Sequence, residues 1–95
     1  MSSVGAPLTV AVRPRDEVLA RSVGQETVLL DLETGIYYTL NSVAATVWAA
    51  LERGHTAEQA VALVIERYEV DEDTARADIE ELINELLNNN LLVVA

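Results

Sequence analysis

Few side chains in this 95-residue chain could do chemistry, and their placement argues against catalysis. A catalytic site needs a nucleophile, a base or a metal in mutual reach. His55 is the single histidine, beside Gly54 and just ahead of Thr56, in a stretch that reads as a turn between helices. There a lone imidazole serves as a solvated surface group. Tyr37 and Tyr38 could donate protons, but on a strand their ordinary role is packing. Glu80, Glu81 and Glu85 suggest a cation site, yet no EF-hand-like ligand loop accompanies them. The chain has no cysteine, hence no disulfide, thiolate nucleophile or cysteine-based metal site. It has no glycine-rich phosphate loop and no nucleophile elbow. The sequence therefore reads as a non-enzymatic protein that needs no cofactor and no metal.

Composition narrows the class further. Hydrophobic residues make up 51% of the chain but aromatics only 4%, with no Phe, so the core must be aliphatic. The net charge is −10 and every positive residue is Arg. Residues 1–51 carry five acids against three Arg, net −2; residues 52–95 carry eleven against three, net −8. Such a surface repels phosphate, which argues against sequence-independent nucleic-acid binding. It reads as a solvated helical face, or as a surface that guides a basic partner. Residues 1–7 lack a basic n-region and an apolar h-region, so no signal peptide is visible and the segment reads as disordered. No apolar run approaches the ~20 residues of a membrane span. Absent cysteines and absent targeting signals fit the cytoplasm.

The positioning elements follow from patterning. Thr27-Val-Leu-Leu-Asp-Leu-Glu-Thr-Gly-Ile-Tyr-Tyr-Thr-Leu-Asn41 reads as two strands around a tight turn, with Gly35 supplying the positive φ. Leu8 to Val12 alternates as a short strand that Pro14 should break. Glu17 to Val23, Thr27 to Leu32 and Ile36 to Leu40 form a three-stranded antiparallel meander. In its last strand, Ile36, Tyr38 and Leu40 share the face expected to meet the core, and Tyr37 and Thr39 share the other. Asn41 or Ser42 caps a helix whose stripe is Ala44, Val47, Trp48 and Leu51, ended by Gly54. Thr56 and Gln59 form a capping box for a second helix with Val61, Val64, Ile65 and Tyr68. Asp71 caps a third helix to about Leu87, ended by Asn88-Asn89-Asn90, and Leu91 to Val94 is a last short strand. The fold class is α+β and winged-helix-like: a three-stranded antiparallel sheet, three helices and a short C-terminal strand. Residues 8–95 form one domain.

The third helix is more apolar than one core stripe requires. With Ile79 at zero and about 100° per residue, Ala75, Leu82 and Leu86 fall within roughly 60°. Arg76, Glu80, Ile83 and Leu87 fall to one side, between about 40° and 100°. Ile83 and Leu87 either pack on the terminal strand or the sheet, or form one wall of a groove open to a ligand side chain.

The hairpin and the helices after it invite comparison with a known family. Val28-Leu-Leu-Asp-Leu-Glu-Thr-Gly-Ile-Tyr-Tyr-Thr-Leu-Asn41, followed by Ser42-Val-Ala-Ala-Thr-Val-Trp48 and Leu51, resembles the PqqD-like family. Ala60-Val61, Tyr68, Val70-Asp71, Ala77-Asp78-Ile79, Leu82, Leu86 and Leu91 resemble its helical half. The resemblance covers residues 17 to 94 and is nearest to the stand-alone precursor-recognition proteins of lasso peptide pathways. It implies a recognition element for ribosomally made, post-translationally modified peptides. By that resemblance a precursor's leader adds as a strand beside Ile36, Tyr37, Tyr38, Thr39 and Leu40, with side chains against Arg76, Ile79, Glu80, Ile83 and Leu87. The implied partners are the precursor leader, a leader peptidase of the transglutaminase-like cysteine protease type, and an ATP-dependent macrolactam cyclase. A PqqD proper would instead hand its peptide to a radical SAM enzyme making pyrroloquinoline quinone. A winged-helix nucleic-acid regulator fits the topology, but its recognition helix would carry Asp73, Asp78, Glu80, Glu81 and Glu85 against Arg76 alone. A purely structural or antitoxin-like interaction domain is compatible with the acidic surface.

Overall fold

A computed structural model describes residues 8–95. The disorder expected for residues 1–7 lies outside the described residues. In chain order the elements are β1 (Val12–Pro14), β2 (Val18–Val23), β3 (Glu26–Asp31), β4 (Tyr37–Leu40), α1 (Ser42–Glu52), α2 (Ala57–Tyr68), α3 (Glu72–Asn88) and β5 (Leu92–Val94). The meander is a three-stranded antiparallel sheet in the order β2-β3-β4. With the three helices and the C-terminal strand it makes an α+β fold.

Local chemistry sets the helix ends. The Asn41 side chain accepts the Ala44 N–H at 2.9 Å and starts α1. Thr56 and Gln59 form both bonds of the capping box that starts α2. Asp71 accepts the Thr74 N–H and starts α3, whose first turn carries Glu72 and Asp73 where the helix dipole favours anions. Gly54, at φ +87°, and Asn90, at φ 59°, take left-handed conformations just past the ends of α1 and α3.

The core is aliphatic around one indole. Trp48, Val47, Leu51, Leu29, Val64, Ile79, Leu91 and Leu92 are its most deeply buried side chains. α1 packs on β3 and β4 on one side and on α2 and α3 on the other, while α3 also packs on β5. The Tyr68 hydroxyl donates to the Ser42 carbonyl and lies 3.0 Å from the Thr46 hydroxyl, which ties the end of α2 to the start of α1.

The first strand differs from the sequence expectation. Leu8 to Val10 turn, and β1 begins at Val12, where the expected strand was to end. It pairs antiparallel with β5 as a separate two-stranded ribbon, Val12 opposite Val94 and Pro14 opposite Leu92. Pro14 ends the strand without preventing it. It has no N–H to give, and the next bond comes from Arg15, whose N–H donates to the Leu91 carbonyl at 3.0 Å.

Three carboxylates are held below their ordinary range. For Asp31, burial alone acts upward, but the N–H groups of Glu33 and Thr34 and the Arg15 guanidinium outweigh it. Glu58 is lowered by hydrogen bonds from Arg76, and Asp71 by those from Thr74. Lowered folded-state values mean the unfolded chain binds more protons. These groups therefore contribute stability above the unfolded carboxylate pKa of about 4 and lose it as pH falls through the folded values. Urea midpoints should be nearly constant from about pH 7 to 5 and fall below about pH 4. A midpoint that climbs on acidification to pH 3 contradicts this assignment.

Candidate functional site

β4 is an edge strand, and the ladder identifies which of its backbone groups are free. The Asp31 N–H donates to the Ile36 carbonyl at 3.0 Å, so that opposed pair is a hydrogen-bonded one. Antiparallel alternation then makes Leu29 with Tyr38, and Thr27 with Leu40, the next bonded pairs. The N–H and C=O groups of Tyr37 and Thr39 consequently point away from β3, to the open side. The far edge gives the same parity. Leu32 N–H donates to Glu17 C=O, which puts Leu19 with Leu30, and Arg21 with Val28, in bonded pairs. The β4 edge thus presents two donors and two acceptors in the spacing that an added antiparallel strand matches.

The side chains of β4 divide by face. Leu40 is buried and Tyr38 half-buried against α1, while Tyr37 and Thr39 are exposed. Ile36 corrects the expectation that it would join the core: it is 51% exposed. It precedes β4, in the turn, where the strand's in-and-out alternation has not yet begun. On the outer face, Tyr37 stands beside Leu30 and Leu19, both reached through the register, and is 68% exposed.

The turn ahead of β4 is organised by Asp31. Its Oδ1 accepts the N–H groups of Glu33 at 2.9 Å and Thr34 at 3.4 Å. Its backbone C=O accepts the Gly35 N–H at 2.7 Å, and Gly35 takes φ +75°. Thr34 Oγ1 accepts the Ile36 N–H. Arg15 reaches in from the end of β1, with Nη2 2.7 Å from Asp31 Oδ1 and Nη1 2.7 Å from Glu33 Oε1. Sequence reasoning noted Asp31 only as part of the hairpin and missed Arg15 altogether, since residues 16 positions apart give no local signal of an ion pair.

α3 places its candidate residues in three different settings. Ile79 and Ile83 are 1% and 2% exposed, inside the core, and offer no surface to a ligand. Arg76 is turned to α2, with a bidentate pair to Glu58 at 2.8 and 2.6 Å and a further bond to Glu72 at 3.0 Å. Those carboxylates hold the guanidinium above its ordinary pKa. Glu80 is exposed, and Leu87 is half-buried against the core. Of the five, only Glu80 and Leu87 keep surface that is not already committed. His55 is 3.3 Å from Gln59 through Nδ1, at the start of α2. Among the described residues no group of three or more His, Cys, Asp or Glu is arranged to hold a metal ion. No helix among them is long and apolar enough to cross a membrane.

The family model for Coenzyme PQQ synthesis protein D matches residues 26–92. The chain belongs to the PqqD family. The match opens at β3 and closes at β5, so it holds both strands of the hairpin, its Asp31 turn and all three helices. Two solved structures are similar over nearly their whole length. One is TbiB1 in complex with the TbiA(beta) leader peptide, at TM-score 0.80 and 34% identity, covering 84% of this chain and 93% of that one. The other is a lasso peptide synthetase B1 complexed with the leader peptide, at TM-score 0.79 and 30% identity, covering 87% and 98%. No curated protein matches. This PqqD-family chain is therefore homologous to proteins that bind leader peptides in lasso peptide biosynthesis.

Proposed function

We propose that residues 8–95 form one peptide-recognition domain that binds the leader of a ribosomally made precursor as an added strand along Tyr37–Leu40. The observation that carries this reading is the open edge of β4, with the N–H and C=O groups of Tyr37 and Thr39 unclaimed by the ladder. The two relatives solved with leader peptides support it. Main-chain pairing tolerates leader variation, so specificity comes from alternate leader side chains that find pockets. Tyr38 is half-buried on the inner face of β4, and of the five α3 candidates Glu80 and Leu87 are the two that keep surface for a leader side chain. Ile79 and Ile83 support α3 from beneath, and Arg76 fixes it to α2.

Such a domain does no chemistry itself. It holds the leader for others in the cytoplasm: a leader peptidase of the transglutaminase-like cysteine protease type, then a macrolactam cyclase. The family's description as a coenzyme PQQ synthesis protein leaves room for a second reading, in which, as the sequence resemblance implies for a PqqD proper, the peptide goes to a radical SAM enzyme. The test is fluorescence anisotropy with two labelled leaders, one from a lasso precursor and one from a quinone precursor, both taken from the producing strain. Saturable micromolar or tighter binding of the lasso leader alone is expected. Binding of the quinone leader alone transfers the assignment to the second reading, and binding of neither removes both.

A further inference from the structure

Arg15 joins two parts of the fold that are otherwise separate sheets. Its N–H donates to Leu91 C=O at the start of β5, and its own C=O accepts the Val18 N–H that starts β2, each at 3.0 Å. Its side chain, 16% exposed, enters the β3–β4 turn and lies 2.7 Å from both Asp31 Oδ1 and Glu33 Oε1. Asp31, at 2% exposure, defines both ends of that turn: its N–H bonds Ile36, its C=O bonds Gly35, and its carboxylate collects Glu33 and Thr34. The point at which β4 starts is therefore set at Asp31.

That starting point decides which backbone groups a peptide meets. A slip of one residue would turn the N–H and C=O groups of Tyr37 and Thr39 inward to β3 and flip every β4 side chain to the opposite face. Leu40 would leave the core and Thr39 would enter it. A buried ion pair is a weak source of stability, because a well-packed apolar pair often replaces it without loss; its best-attested use is to fix register. The contacts of Arg15 match that use, since they fall on Asp31, the last residue of β3, and on Glu33 in the turn that follows it. We infer that Arg15 and Asp31 are a positioning pair for peptide docking: the β1–β5 ribbon, through Arg15, holds the β3–β4 turn so that Tyr37 and Thr39 stand in docking register. This rests on the proposed leader binding and adds to it residues outside the groove.

The experiment compares wild type with Arg15→Met, Arg15→Lys and Asp31→Asn at 10 °C. Each variant is first shown to be folded by far-UV circular dichroism and by slow amide exchange of Ile79 and Ile83. Two quantities are then read: the affinity for the same labelled leader, and the cross-strand NOE pattern between β3 and β4. Arg15→Met and Asp31→Asn should weaken binding by about tenfold or more, the equivalent of roughly one well-placed hydrogen bond. Their β3–β4 NOEs should report mixed registers while the α3 amides stay protected. Arg15→Lys, which keeps the charge but not the fork, should fall between. If Arg15→Met does not fold, Arg15→Lys decides the matter. Folded variants with wild-type affinity and a single native register overturn the inference and leave leader binding itself standing. Failure of wild type to bind the leader removes the proposed function instead.

Discussion

Ile83→Asp should unfold the protein, not merely weaken a peptide site. Ile83 is 2% exposed, on the α3 face that also buries Ile79 and Leu86. Removing its side chain from the core forfeits about 2–3 kcal/mol of apolar burial. Placing an unpaired carboxylate in the same space costs several kcal/mol more, unless it takes up a proton. A domain of this size holds only about 5–10 kcal/mol in total. Urea titration followed by circular dichroism should show Ile83→Asp largely unfolded in buffer at 25 °C. Leu87→Asp, half-buried on the same helix, should retain a cooperative transition with a lower midpoint. A native-like transition for Ile83→Asp contradicts the burial assigned to it. The contrast matters for function, because loss of leader binding in Ile83→Asp says nothing about a groove, whereas loss in folded Leu87→Asp does.

The width of the α3 apolar arc has a packing cause that the sequence left open. α3 meets α1, α2 and β5, so its buried surface is wider than a single stripe. Periodicity reports how much of a helix is covered, but not by what. The caps were legible because they are local: Asn41, Thr56 with Gln59, and Asp71 each bond a backbone N–H within three residues. The left-handed positions Gly35 and Asn90 were legible for the same reason. The β1–β5 ribbon was not, because Val12 and Val94 lie at opposite ends of the described chain and nothing near either specifies the other. Strand faces fell between. Alternation assigned Tyr38, Leu40, Tyr37 and Thr39 correctly, and it failed at Ile36, where the apolar pattern continues in sequence but the strand itself has not begun. The free backbone groups of Tyr37 and Thr39 needed the observed ladder, since their direction depends on one bond, Asp31 N–H to Ile36 C=O.

That ladder permits a substitution confined to the docking edge. Thr39→Pro removes one N–H, and by parity it is an N–H that β3 does not use. Proline is tolerated in an edge strand when its nitrogen faces solvent, and Tyr38 before it is already extended, as a residue preceding proline must be. The outward Thr39 side chain is exposed, so no core contact is lost. The fold should survive with a modest change in urea midpoint. Binding should not, because the incoming strand loses a donor and meets the pyrrolidine ring where its carbonyl would have sat. A drop of about thirtyfold or more in leader affinity is expected, beyond the roughly tenfold of one net hydrogen bond because steric exclusion adds to it. Thr39→Ala, which keeps the N–H, should bind within about threefold of wild type, since only an exposed side chain changes. Equal, near-native affinity for the proline and alanine variants, measured on folded protein, would show that the peptide does not pair with this edge. A large loss in both would instead place the determinant in the threonine side chain. Only the split between them assigns the recognition to the backbone.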